Sequence, residues 1–262
     1  MNRYVFGPVL SRRLGRSLGI DLLPYKTCSY NCVYCECGAT TDLTLTRREF
    51  FPTVDVIAEL DHILAKRPVL DYITFAGSGE PTLSYSLGPV IRFLKEAYPR
   101  YRVAVLTNGT LCTLPEVRRD LIQADLIIPT VPASDQKMQE KIFRPVRGLS
   151  VSSILRGLGA LRSEFSGQIW VEVFLIPGIN TGREELQSIR ETIVSLRPDL
   201  IQLNSLDRPG TESWVYPVRG VELEETRDFF AETGIPVDIV GYGQNRACLS
   251  QRCDHPGITS QI

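Results

Sequence analysis

The apolar residues of this chain fall into short runs, separated by stretches with helical spacing. Short runs of β-branched and other apolar side chains are typical of buried strands. Such runs cover residues 18–22, 72–76, 102–106, 126–131, 169–175, 200–203 and 237–240. Apolar side chains recur three and four positions apart, as on one helix face, in residues 54–66, 87–97, 114–123, 151–164, 183–196 and 223–233. The pattern therefore predicts strands that alternate with helices.

This alternation predicts an α/β fold in which helices cover a parallel sheet. The number of strand–helix units favours a complete or partial (β/α) barrel, with a doubly wound open sheet as the main alternative. In such a barrel, the loops after the carboxyl ends of the strands carry the chemistry. The loops after the first four predicted strands contain residues 28–35, 76–81, 107–109 and 132–134. We therefore expect these loops to share one face.

Composition and charge narrow the class of protein. The chain has 262 residues, of which 43% are hydrophobic and 23% charged, as in an ordinary globular protein. No apolar run approaches the roughly 18 residues of a membrane helix, and residues 1–10 lack the apolar core of a signal peptide. We therefore expect a cytoplasmic protein. The net charge of −1 does not indicate a nucleic-acid partner.

The cysteines are the strongest chemical signal. Seven are present, and thiols that cluster in a cytoplasmic protein indicate a metal site or catalysis rather than disulfides. Cys28, Cys32 and Cys35 have the spacing C-x3-C-x2-C. A structural zinc site needs four ligands, usually supplied as two pairs. A [4Fe–4S] cluster held by only three cysteines leaves one iron open to a small chelating molecule.

The motif Cys-Ser-Tyr-Asn-Cys-Val-Tyr-Cys, with Tyr34 before its third cysteine, resembles the radical S-adenosylmethionine superfamily. The resemblance implies a partial (β/α)6 barrel, with Cys28, Cys32 and Cys35 as cluster ligands and Tyr34 among the residues that bind the cofactor. The open iron would bind the amino and carboxylate groups of S-adenosylmethionine. One electron from the cluster would then release a 5′-deoxyadenosyl radical that abstracts hydrogen from a substrate. The resemblance also implies an electron donor such as flavodoxin or ferredoxin.

A second motif strengthens the resemblance. Gly77, Ser78, Gly79 and Glu80, followed by proline, are similar to the GGEP motif of that superfamily, which contacts the methionine amino group. Glycines allow the backbone to approach a ligand, and a carboxylate accepts hydrogen bonds from an ammonium group. Glu80 has an alternative role as an ordinary carboxylate at a helix N-terminus.

Three further residues are implied to bind the cofactor. Asn108 follows the third predicted strand, Ser134 follows the fourth where polar groups meet the ribose, and Glu172 lies on the fifth. Asn108 could instead only form a turn. The side chain of Glu172 could instead point away from the interior of the barrel. An inward carboxylate at Glu172 would need a partner. Arg12, Arg13 and Arg16 form either a solvated face or a clamp on an anionic group.

Other segments are similar to one subgroup, the radical domain of the wyosine-forming tRNA enzymes. They are residues 6–20, 75–83, 175–180 and 241–243. Those enzymes hold a second cluster on cysteines upstream of the triplet, and a lysine in them holds pyruvate. Here no cysteine precedes Cys28, and nothing matches Lys26, the one upstream lysine, to that role. Wyosine synthesis itself is therefore not expected.

The remaining cysteines suggest a second site. We interpret Cys112 as a buried small hydrophobe. Cys37, Cys248, Cys253 and His255 could together hold a second cluster or a metal, if the C-terminal tail covers the barrel mouth. The alternative is a frayed tail with exposed thiols. On this basis, residues 1–243 are expected to form the barrel domain and residues 244–262 the tail.

The substrate remains open at this stage. A nucleobase or small molecule is favoured, and the alternative is a protein partner, as in activation of a glycyl-radical enzyme. A hypothesis from another class is a non-catalytic zinc or Fe–S scaffold. In a scaffold, residues 77–81 would have no reason to lie beside the cysteine motif, so their relative position separates the two classes.

Overall fold

The computed structural model describes residues 3–131, 133 and 135–241. Its main sheet has eight strands: β1 (Val5–Ser11), β2 (Gly15–Ile20), β5 (Tyr72–Phe75), β6 (Arg102–Thr107), β7 (Leu126–Pro129), β8 (Gln168–Phe174), β9 (Leu200–Asn204) and β10 (Val237–Ile239). Two short strands, β3 (Thr27–Cys28) and β4 (Asp42–Leu43), form a separate parallel pair. The helices are α1 (Thr53–Leu64), α2 (Leu87–Ala97), α3 (Pro115–Leu121), α4 (Gln136–Ile142), α5 (Val151–Glu164), α6 (Arg183–Leu196) and α7 (Val221–Ala231).

The order of the strands identifies the architecture. They follow one another as β1-β2-β5-β6-β7-β8-β9-β10, and every pair after the antiparallel β1–β2 hairpin is parallel. In a doubly wound sheet the order would reverse at a switch point. The order here runs in one direction, with helices between successive strands. The prediction of a partial (β/α)6 barrel is therefore confirmed, and the sheet is an open, curved half-barrel.

The two faces of the sheet have separate cores. Alternate strand residues such as Val103, Val105 and Ile127 pack against the helices in a large cluster. Their neighbours face the other way into a small cluster, which consists of Leu14, Tyr72, Ala104, Leu126 and Ile128 with Leu106 and Trp170 against it. We call this inner side the lumen. Because successive side chains in a strand alternate between faces, the same alternation directs polar residues of later strands into the lumen.

Strands β1, β3 and β4 and helix α4 were not predicted. Strand β1 contains Gly7 and Pro8, shows a register shift between Phe6 and Val9, and is largely exposed, so it lacks an apolar pattern. Helix α4 buries only Gln139 and Ile142, too few for a helical period to be visible. Within the described ranges, none of the helices is both long and apolar enough to span a membrane. The expected tail, residues 244–262, lies outside the described residues.

Candidate functional site

The cysteine motif lies in the loop between β2 and α1, at the carboxyl end of the sheet. Cys28 ends β3, and the backbone of Cys35 donates to the carbonyl of Cys32 at 3.2 Å. The loop is bonded to the end of α4 and to the segment that follows it. Val33 N–H donates to the carbonyl of Ile142 at 2.9 Å, and Val146 N–H donates to that of Ser29 at 3.0 Å. The unpredicted helix α4 therefore supports the cysteine loop.

The three thiols have different environments. Burial raises the pKa of Cys28 to about 12 and raises that of Cys32 well above its ordinary value. Hydrogen bonds from Cys37, together with the nearby ammonium of Lys26, lower the pKa of Cys35 to about 5. Buried thiolates at Cys28 and Cys32 need positive charge beside them, and bound iron supplies it. This donor set therefore fits an Fe–S cluster.

The thiols are not arranged around one ion. Among the described residues, no group of three or more His, Cys, Asp or Glu side chains is placed to hold a single metal ion. A cubane cluster does not require such convergence, since each thiolate binds a different iron. The spacing of the triplet within one loop is thus compatible with a cluster.

The loop of residues 77–81 packs directly on the cysteine loop. A Cβ atom added at Gly79 would lie 2.0 Å from the carbonyl oxygen of Thr27, and Glu80 N–H donates to that oxygen at 3.2 Å. Gly77 has a φ of +151°, and Ser78 donates to Asp21 from its N–H at 2.9 Å and its hydroxyl at 2.8 Å. Only glycine permits this approach at position 79, which brings the two motifs together.

Glu80 is the most completely bonded carboxylate of the site. Its Oε1 accepts from the Thr82 N–H at 3.1 Å, the Thr82 hydroxyl at 2.5 Å and the Thr107 hydroxyl at 2.6 Å, and its Oε2 accepts from Asn108 N–H at 2.7 Å. Burial raises its pKa, and these hydrogen bonds oppose the rise. Glu80 also N-caps the short 3-10 helix Pro81–Leu83, so the alternative of a helix N-terminal carboxylate has direct support. Since Oε2 accepts a single bond from the residues that the structure describes, it keeps room for one more donor.

Asn108 links the third loop to the first. Its Nδ2 donates to Ser29 Oγ at 2.9 Å and approaches Cys28 Sγ at 3.6 Å, while its Oδ1 accepts from Thr110. Asn108 is therefore more than a turn-former, because it holds the strand that carries Cys28. Tyr34 stacks on Phe174, with ring centroids 3.7 Å apart and planes at 9°.

Glu172 points into the lumen, not away from it. Its Oε2 accepts from Arg13 Nη1, and its Oε1 accepts from Asn204 Nδ2 at 3.2 Å. Burial raises the pKa of Glu172, but the charge and hydrogen bond of Arg13 and the bond from Asn204 lower it overall. The partner that an inward carboxylate requires is thus Arg13, from the turn of the β1–β2 hairpin.

A cavity of about 180 Å³ joins these groups. It is lined by Cys28, Tyr30, Cys32, Tyr34, Gly79, Glu80, Leu106, Thr107, Asn108, Ile128, Thr130 and Glu172. Five of the residues predicted from the resemblance to bind cofactor therefore share one cavity with two of the three cysteines. Gly77 and Ser78 lie behind it, where they hold the loop to Asp21.

The remaining predicted site residues are described only in part. Cys37 lies beside this loop, with its Sγ 3.8 Å from the carbonyl oxygen of Gly77. Cys112 is fully buried, as predicted. Ser134, Cys248, Cys253 and His255 lie outside the described residues.

The sequence patterns missed three residues that the structure brings to the site. Lys26 Nζ lies 3.0 Å from Cys35 Sγ. Gln202 and Asn204 face the lumen from β9, where Gln202 is in register with Glu172. Two polar residues at alternate positions of an otherwise apolar strand were a signal that could have found the latter pair.

Comparison with known proteins identifies the family to which the chain belongs. The sequence model of the Radical SAM superfamily matches residues 22–192. The chain is 36% identical to UPF0026 protein MJ1312 of Methanocaldococcus jannaschii over 214 residues, which cover 81% of this chain and 66% of that protein. It is 38% identical over 236 residues to a protein of Brachyspira hyodysenteriae named GTPase Obg, covering 90% of this chain but 35% of that protein.

The chain thus spans a third to two thirds of these relatives. It contains no Gly-Lys pair, so it lacks the phosphate-binding G-x-x-x-x-G-K-[ST] motif of P-loop GTPases. Among solved structures, a radical SAM methyltransferase from Sphaerobacter thermophilus superposes with a TM-score of 0.67 at 15% identity, over 85% of this chain and 65% of that one. This likeness extends to the fold alone.

Proposed function

Because the chain belongs to the Radical SAM superfamily, and is therefore an enzyme of that class, we propose that it abstracts hydrogen from a polar small molecule or nucleobase held in the barrel lumen. One observation carries the proposal. Residues 77–81 pack on the Cys28 strand at a shared cavity, through the contact of Gly79 and Glu80 with Thr27. A scaffold protein would not need that contact.

The residues present fit the two cofactors that the family implies. Cys28, Cys32 and Cys35 would hold a [4Fe–4S] cluster with one open iron. When bound, the cluster and S-adenosylmethionine supply the 5′-deoxyadenosyl radical. Glu80 Oε2, which accepts one hydrogen bond among the described residues, suits the methionine ammonium. The proposed role of Ser134 at the ribose stays a prediction.

The side of the lumen formed by β8 and β9 favours a polar substrate. Glu172, Asn204 and Arg13 form a bonded group there, and the neighbouring Gln202 is fully buried. Its Nε2 and Oε1 have no hydrogen-bond partner within the described residues. An unpaired buried amide costs about 1–3 kcal/mol. Gln202 itself does not line the cavity, so the support for a polar substrate on this side comes from Glu172, which does.

Two finer proposals concern partners and a second metal. Radical SAM enzymes need a reductant, for which we propose flavodoxin or ferredoxin. Cys37, Cys248, Cys253 and His255 remain a proposed auxiliary cluster or metal site, as does the tail that would bring them to the barrel mouth. The resemblance to the wyosine-forming subgroup remains a prediction as well, and the UPF0026 relative does not carry that name.

Anaerobic reconstitution with iron and sulfide tests the proposed function. We expect about four irons per chain for a single cluster, and 5′-deoxyadenosine after dithionite and S-adenosylmethionine are added. Cys32→Ala should lose both the iron and the product, whereas Cys112→Ala should keep them. About eight irons, falling to about four when Cys248 and Cys253 are replaced, would establish the auxiliary cluster. A loaded wild-type cluster that cleaves no S-adenosylmethionine would contradict the proposal.

A further inference from the structure

Lys26 occupies an unusual position beside the proposed cluster ligands. It precedes β3 with a φ of +57°, a backbone conformation that residues other than glycine seldom adopt. Lys26 is 3% exposed. Its carbonyl oxygen accepts from the N–H groups of Thr41 and Asp42, both at 3.1 Å. The pairing of β3 with β4 therefore fixes the backbone of Lys26, and its side chain extends toward the thiols.

The ammonium of Lys26 contacts a sulfur, not a carboxylate. Its Nζ lies 3.0 Å from Cys35 Sγ, and it forms no ion pair with an acidic side chain in the part of the chain that the structure describes. Lys95, in contrast, contacts both carboxylate oxygens of Asp125, at 2.6 and 2.8 Å. A buried ammonium without a counter-charge is costly, so the thiols are the negative partners that this position requires.

Such a charge would act on the electron affinity of a cluster. One-electron reduction adds negative charge to the cluster and its thiolates. A fixed positive charge, or a hydrogen bond to a ligand sulfur, stabilises the more negative state. The N–H···S contact and the ammonium charge of Lys26 therefore act in the same direction.

We propose that Lys26 raises the reduction potential of the cluster, so that a cellular reductant can load it with an electron before each cleavage of S-adenosylmethionine. This inference rests on the proposed function, because it requires a cluster on Cys35. Lys26 is in this view a positioning residue that acts through Cys35 and contacts no substrate. In the titration that follows, dithionite dissociates into two SO2 radical anions, each of which donates one electron to a cluster, and no bond of the protein forms or breaks.

The test is a redox titration of the reconstituted protein without S-adenosylmethionine, followed by the EPR signal of the reduced cluster. In Lys26→Met, which keeps an unbranched side chain one atom shorter and removes its charge, we expect the midpoint potential to become more negative. At a fixed ambient potential the ratio of reduced to oxidised cluster should fall about tenfold, which for one electron equals about 59 mV. Lys26→Arg, which keeps the charge, should retain most of the wild-type potential.

The matched control is Lys66→Met, the same change at an exposed lysine after α1, which should leave the potential unchanged. Equal potentials in wild type and Lys26→Met, at equal iron content, would overturn the inference. If Lys26→Met binds no iron, normal loading of Lys26→Arg supports a need for charge, and failure of both variants overturns the inference in favour of a steric role. A wild-type chain that binds no cluster would instead remove the proposed function.

Discussion

The two sides of the barrel lumen differ in how completely their buried polar groups are hydrogen-bonded. Near β5 and β6, Glu80 accepts four hydrogen bonds from Thr82, Thr107 and Asn108. Near β8 and β9, Gln202 is equally buried, but neither its donor nor its acceptor has a partner among the described residues. One wall is bonded within the protein, and the other keeps part of its bonding capacity.

We propose from this difference that the first side serves the cofactor and the second side the substrate. A cluster and S-adenosylmethionine occupy the same geometry in every turnover, so the loops around them gain from being fixed in advance. On the second side, Glu172 lines the cavity, and Gln202 in register with it has an unpaired amide, so this side is polar and is not fully bonded within the described residues. We therefore expect variants of the first wall to affect loading and stability, and variants of the second to affect substrate selection.

The largest effect is expected at the contact between the two motif loops. Gly79→Ala places a methyl group 2.0 Å from the carbonyl oxygen of Thr27, so the cysteine loop must move. We expect a loss of about 3 kcal/mol in the free energy of unfolding and failure to bind iron, measured by urea denaturation and iron content.

Gly159→Ala is the matched control for that change. Gly159 lies within α5, and an added Cβ there would have no heavy atom within 4 Å. Because alanine favours the helix, this variant should be as stable as wild type or more stable by about 1 kcal/mol. Iron binding by Gly79→Ala at the wild-type level would contradict the close packing of the two loops.

A smaller effect is expected for the carboxylate that unites the first wall. Glu80→Gln places an amide donor opposite donors that now point at a carboxylate oxygen. We expect a loss of about 2 kcal/mol in the free energy of unfolding, together with weaker iron retention. Glu191→Gln, on the exposed face of α6, is the control and should change little. Stability equal to wild type in Glu80→Gln would show that the network is not needed for the fold.

The smallest effect is a contrast between two positions of β9. Asn204→Leu removes the bond to Glu172 and should lower the free energy of unfolding by about 1 kcal/mol. Gln202→Leu removes an amide that has no partner among the described residues, so it should be neutral or slightly stabilising. Differential scanning calorimetry of both variants measures these changes in stability. A larger loss of stability for Gln202→Leu than for Asn204→Leu would contradict the conclusion that the amide of Gln202 is unpaired.

The hydrophobic period predicted the fold well where burial decides the structure. Helices α2, α5 and α6 begin and end at the predicted residues, because each buries a regular apolar stripe. It failed for β1 and α4, which bury few side chains, and β1 is held instead by its antiparallel pairing with β2.

The site was predictable to a similar extent. The spacing of the cysteine triplet and the resemblance of residues 77–81 to the GGEP motif pointed to the site, since both motifs are local in sequence. The contacts of Lys26 with Cys35, Asn108 with Cys28, and Arg13 with Glu172 depend on tertiary packing. No pattern along the chain encodes which thiol or carboxylate those side chains meet.

The central claim is that three thiolates hold a cluster whose open iron faces the ligand cavity. The most direct test is the EPR spectrum of the reduced, reconstituted wild-type protein before and after addition of S-adenosylmethionine. We predict that the signal changes when S-adenosylmethionine is added. S-adenosylmethionine labelled with 17O in its carboxylate should broaden the signal through hyperfine coupling to the cluster. An unchanged signal at saturating S-adenosylmethionine would contradict the account, because the open iron would then bind no such ligand.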